Sequence, residues 1–157
     1  MKYKFVFILF LLSFLINCSD YFTKDDIIFH DDTLYFKDST LFNGELRTYY
    51  QVTGELLMVE EYKDGLRDGK LIQYYKNGYK KEQIEYKNGK KFGYHISYFS
   101  NGNKGRIKGF KNDTAHGIED HFFRNGQVWR RMDFENGKLV GQKIYELPEF
   151  QSGPEVK

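Results

Sequence analysis

The sequence predicts an all-β protein, an elongated antiparallel meander of stacked β-hairpins. Three observations predict it. Residues 62–85, 86–109 and 110–133 align on one another without a gap, a 24-residue period. A further unit begins at Phe134, and an earlier one from Phe36 fits with two single-residue insertions. Self-similarity at this spacing means one supersecondary unit stacked several times. Each full unit also holds two turn signals, which leaves room for two short strands and no helix. Finally, 13 Tyr, 15 Phe and 15 Gly stand against a single alanine, Ala115. Aromatic residues favour strands and glycine favours tight turns, whereas a helical chain would use alanine freely.

The first element, residues 1–17, reads as a leader. Lys2 and Lys4 precede an apolar run over residues 5–16 broken only by Ser13. A basic start and an apolar stretch of this length have the layout of a secretory signal peptide. A membrane-spanning helix takes about 20 apolar residues, and Asn17, Ser19 and Asp20 end the run before that. The run closes on Leu15-Ile16-Asn17-Cys18, which resembles the lipobox of bacterial lipoproteins, with Asn17 where a small residue is usual. Cys18, the one cysteine of the chain, is therefore expected to carry lipid and to anchor the protein to a membrane. An ordinary signal is the alternative. A lone cysteine also excludes an intrachain disulfide framework and a cysteine-based zinc cluster.

Residues 18–33 are expected to form an acidic tether carrying Asp20, Asp25, Asp26, Asp31 and Asp32, with Ile27-Ile28-Phe29 as a possible opening strand. Residues 34–147 form the repeat array. Its columns have physical meanings. Tyr62, Tyr86, Phe110 and Phe134 make an aromatic column, and Gly69, Gly93, Gly117 and Gly141 a glycine column. Asn77-Gly78, Asn101-Gly102 and Asn125-Gly126 are expected to form type I′ turns with positive φ at both central residues. A second turn is expected at Asp64-Gly65, Asn88-Gly89, Asn112-Asp113 and Asn136-Gly137. The strands between them are predicted at, for example, residues 93–99 and 103–110. Strand alternation places Ile72, Ile96 and Asp120 with Tyr74, Tyr98 and Phe122 on one, mainly apolar face. It places Leu71, His95, Glu119, Gln73, Ser97 and His121 on the other, bordered by an aromatic ladder of Tyr75, Phe99 and Phe123. Residues 148–157, with two Pro and one Gly, are read as a tail.

The units YKDGLRDG (62–69), YKNGKKFG (86–93) and FENGKLVG (134–141), with paired aromatics before Asn-Gly, resemble the bacterial MORN-variant repeat over about residues 34–145. The resemblance implies an interaction surface for proteins or lipid headgroups and offers no catalytic residues. Bacterial proteins of this kind include antitoxin components of the YwqK type, which makes an antitoxin or immunity role the alternative expectation.

The formal charge of +2 belongs to the leader. Beyond it, residues 18–62 carry 3 basic and 10 acidic side chains, residues 63–111 carry 13 and 4, and residues 112–157 carry 6 and 8. The basic middle reads either as a solvated surface whose lysines guard strand edges or as an anion-facing patch for phospholipid headgroups or an acidic partner. His95, His116 and His121 do not converge with a recurring fourth ligand, and the acids form no catalytic pair. The chain is thus expected to be no enzyme, to use no cofactor or metal, and to bind no nucleic acid. Its expected place is a bacterial cell envelope, lipid-anchored through Cys18, with an unidentified protein as partner. The candidate contact surface is Tyr75, Phe99 and Phe123 with Lys80, Lys81 and Lys104.

Overall fold

The computed structural model describes residues 5–7 and 27–145. Cys18, the rest of the expected leader and tether up to residue 26, and the expected tail lie outside the described residues. The strands are β1 (Phe5–Phe7), β2 (Ile27–His30), β3 (Thr33–Phe36), β4 (Gly44–Tyr49), β5 (Leu56–Lys63), β6 (Leu66–Tyr74), β7 (Lys80–Lys87), β8 (Lys90–Tyr98), β9 (Lys104–Lys111), β10 (Thr114–Phe122), β11 (Val128–Glu135) and β12 (Lys138–Ile144). Ten of them form one antiparallel sheet in the order β1-β4-β5-β6-β7-β8-β9-β10-β11-β12, and β2 and β3 form a separate hairpin. From β4 onward, neighbours in sequence are neighbours in space, so the architecture is the meander the turn signals require. At about 4.8 Å per strand the sheet is roughly 40 Å across. Ile27–His30 lies in the segment expected as tether, and it is a strand, returned into β3 by Asp31 and Asp32 at φ 46° and 60°.

The two kinds of turn differ in a way the dipeptides do not reveal. Asp64-Gly65, Asn88-Gly89, Asn112-Asp113 and Asn136-Gly137 all have positive φ at both residues, the geometry of two-residue type I′ hairpins. The Asn-Gly column does not. Only Gly78, Gly102 and Gly126 have positive φ there. Gly78 N–H donates to the Tyr75 carbonyl at 3.0 Å and Tyr75 N–H to the Tyr79 carbonyl at 2.8 Å, closing a longer loop. The asparagine stays right-handed because its own Oδ1 serves the loop, accepting the N–H two residues on at 3.1 Å from Asn103 and 3.0 Å from Gln127. Because the type I′ turns use only two residues, the following strands start early. The strand expected at 93–99 runs Lys90–Tyr98, and its partner runs Lys104–Lys111.

The strands are bulged at both ends with the period of the repeat. Near the Asn-Gly loops, the pairing skips Leu57, Lys81, Gly105 and Trp129, one extra residue each time. Near the type I′ turns, it skips Asp68 to Lys70 against Glu61 and Phe92 to Tyr94 against Glu85. The glycine column sits in this second bulge, with Gly69 and Gly93 at φ 118° and 85°. The opposing acid completes it. Glu61 Oε2 accepts the Lys70 N–H at 3.0 Å, and Glu85 Oε2 accepts the Tyr94 N–H at 3.1 Å. An unpaired backbone donor is thereby satisfied by a side chain.

Register fixes the faces. One row across the sheet reads Leu46, Glu60, Leu71, Ile84, His95, Lys108, Glu119, Met132. The row beside it, on the opposite face, reads Arg47, Val59, Ile72, Gln83, Ile96, Ile107, Asp120, Arg131. We call the first the inner face, because the β2–β3 hairpin packs onto its N-terminal end through the cluster Leu34, Phe42, Leu46 and Tyr62. Phe42 is fully buried there, between the rings of Phe36 and Tyr62 at 5.5 and 5.8 Å. The inner face, expected to be polar, therefore holds the core cluster. The outer face, expected to be mainly apolar, is mixed: Val59, Ile72, Ile96 and Ile107 share the row with Arg47, Gln83, Asp120 and Arg131. Asp120 is buried in the column where the two preceding units carry Ile72 and Ile96, and it accepts two bonds from Arg131 at 2.7 and 2.6 Å.

Candidate binding face

The inner face carries three features side by side: an aromatic margin, a buried polar cluster and a cavity. The margin runs along the Asn-Gly loops. The Tyr50 hydroxyl donates to the Tyr74 carbonyl at 3.2 Å, and the Tyr75 hydroxyl to the Tyr98 carbonyl at 2.8 Å. Each ring is thus fixed to the backbone of the next unit. Asn77 and Asn101 reach across in the same way, to the carbonyls of Ser100 at 2.9 Å and Arg124 at 3.3 Å. Phe99 has no hydroxyl and lies instead over the bulge residue Gly105, where a Cβ would meet its Cζ at 3.4 Å. Phe123 contacts Trp129, the bulge residue of the next strand, at 6.2 Å between ring centroids. Arg124 covers Phe99 at 5.5 Å and Lys76 covers Tyr50 at 5.7 Å, cation–π contacts that leave the charged groups toward solvent.

The candidate surface read from the sequence divides. Tyr75, Phe99 and Phe123 do form one half-buried row, with Lys81 exposed at the bulge beside it. Lys80 pairs with Tyr74 and Lys104 with Tyr98, so pleating sends both to the outer face. Lys80 Nζ bonds Gln83 Oε1 there at 3.0 Å. The remaining cations of the basic segment spread in the same manner. Lys63, Lys87, Lys90 and Lys111 flank the type I′ turns, and Lys76 sits in an Asn-Gly loop. No single plane collects them.

Trp129 was not among the expected residues. Strict alternation of period two cannot find it, because the bulge places it on the same side as His121, whose ring it meets at 5.4 Å. The buried polar cluster lies next to it. Glu119 is 3% exposed and accepts from Arg106 Nε at 2.7 Å, Lys108 Nζ at 2.9 Å and His121 Nε2 at 2.8 Å. Burial alone would raise its carboxyl pKa. The bonds from Lys108 and His121 and the charge of Arg106 outweigh that and hold it below the ordinary glutamate value. His95 pairs with Glu82 in the preceding unit. Among the described residues no group of three or more His, Cys, Asp or Glu is arranged to hold a metal ion.

The cavity, of ≈ 430 Å³, opens between the β2–β3 hairpin and the inner face of β4, β5 and β6. No helix among the described residues is long and apolar enough to cross a membrane. No protein-family model and no curated protein matches the chain.

Proposed function

We propose that this chain is a non-enzymatic lipoprotein of a bacterial cell envelope, held by lipid on Cys18. Its repeats, read as the MORN-variant type, present the inner aromatic margin to a protein partner. The observation that carries this reading is the row Tyr75, Phe99, Phe123 and Trp129. It is half-buried, and its rings are fixed by the hydroxyl and bulge contacts described above. Large rigid rings aligned before binding lose little conformational entropy on contact, which is why aromatic residues dominate binding hot spots. Lys81 and Arg124 beside the row favour a partner with acidic groups at its rim.

The lysines supply a face-specific test. Amine-reactive crosslinking followed by mass spectrometry, on tagged protein in its native envelope, is expected to join a partner through Lys81 and not through Lys80 or Lys104. A Phe99→Ala/Phe123→Ala variant with an unchanged far-ultraviolet circular dichroism spectrum is expected to lose that crosslink at least tenfold. Crosslinks concentrated at Lys80 and Lys104 would move the interface to the outer face.

A further inference from the structure

We propose that the cavity beneath the β2–β3 hairpin is a binding site for one uncharged aliphatic molecule bearing a hydroxyl head. Its size, ≈ 430 Å³, falls in the usual range for small-molecule sites, roughly 300–1,000 Å³. The walls are apolar: Ile27, Phe29 and Leu34 from the hairpin, and Leu46, Leu57 and Met58 from the sheet. Water gains little in such a space, because it finds few hydrogen-bond partners there.

The few polar groups in the wall specify the head. Glu60 is buried, and its bonds from Arg67 Nε and Nη2 at 2.9 Å and from the Tyr62 hydroxyl at 3.3 Å all fall on Oε1. Its Oε2 receives no donor among the described residues and is free to accept one. Thr48, in the same wall, has a buried hydroxyl with no hydrogen-bond partner among the described residues. Leaving such a group unpaired is destabilising, and a ligand hydroxyl can both donate to Glu60 and bond Thr48. The Glu60–Arg67 pair is neutral as a unit, so an ammonium head would meet Arg67 and a carboxylate head would meet Glu60. Both would be desolvated beside a like charge. An uncharged head avoids this.

The site is independent of the aromatic margin and of any protein partner. Its test uses the full chain and the neutral fluorophore N-phenyl-1-naphthylamine, with far-ultraviolet melting as the check on folding. Saturable emission corresponding to one probe per chain is expected. Decanol should displace the probe at a concentration at least tenfold lower than decanoate or decylamine. Leu57→Trp, which fills the cavity, should abolish the signal, and Phe29→Asp, at its exposed rim (53% exposed), should weaken it at least tenfold with unchanged melting. The proposal is overturned by equal displacement by the three compounds, or by full binding in both folded variants. Absence of saturable emission also overturns it.

Discussion

Gly109→Ala is expected to destabilise the protein by about 3 kcal/mol, the upper range for overfilling a packed site. For a sheet of this size that lowers the melting temperature by roughly 10 °C. Gly109 does not belong to the glycine column, and its φ is not positive. Its constraint is space. A Cβ there would lie 2.2 Å from the His116 carbonyl oxygen and 3.3 Å from its carbon. Those atoms are backbone, held in the β9–β10 bulge, so relief requires the strand itself to move. Gly93→Val offers the instructive contrast. Its Cβ would approach Glu85 Oε2 at 2.1 Å, but that oxygen ends a flexible side chain and can swing aside. What remains is a β-branched residue at φ 85°, a strain of about 1–3 kcal/mol, together with loss of the carboxylate that caps the Tyr94 N–H. Gly117→Ala, with nothing within 4 Å of its Cβ and φ 81°, should suffer backbone strain alone. Thermal denaturation of the three variants should therefore rank Gly109→Ala and Gly93→Val well below Gly117→Ala. Equal melting of Gly109→Ala and wild type would show that the bulge yields without cost.

This ranking marks how far the sequence was legible. The meander, the positions of the turns and the glycine column were readable because each rests on a residue type that the backbone demands, although the type I′ geometry expected at the Asn-Gly pairs is found at the other turns. Asp64-Gly65 and Asn88-Gly89 are examples, since few other dipeptides tolerate two positive φ values. The bulge at Leu57, Lys81, Gly105 and Trp129 was not readable. It recurs in the backbone but asks nothing of the side chain, so its four residues share no chemistry. Missing it misassigned Lys80 and Lys104 and hid Trp129, because one extra residue reverses the alternation on which face assignment depends. The acids Glu61, Glu85 and Asp133 occupy one column of the 24-residue repeat, interrupted by Gly109. The role of Glu61 and Glu85, accepting a backbone N–H at a bulge, exists only once the bulge is known. Gly109 occupies that same column at the end of the second unit, where the backbone comes close enough to exclude any side chain.

Glu119→Ala carries the other large effect, an expected loss of about 3 kcal/mol. Removing one partner from a buried ion pair usually costs 3–5 kcal/mol, because the opposite charges stay behind uncompensated. The lower end applies here, since Arg106 is 39% exposed and can turn to water, whereas Lys108 is enclosed under the rings of Phe110 and Phe134 at 5.7 and 4.7 Å. If charge rather than packing is responsible, Glu119→Leu/Lys108→Met should recover much of the loss. Leu71 and Ile84 already fill the equivalent places in the first unit with apolar groups. The dependence on pH follows from the same cluster. The folded-state pKa of Glu119 lies below the ordinary glutamate value of 4.5, so its stabilisation is complete above that pH and is lost as the pH falls through the folded value. Melting temperatures of the wild type and Glu119→Gln should therefore differ most above pH 4.5 and converge under stronger acid. A constant difference across that range would mean that the carboxylate charge is not what holds Arg106, Lys108 and His121 together on the inner face.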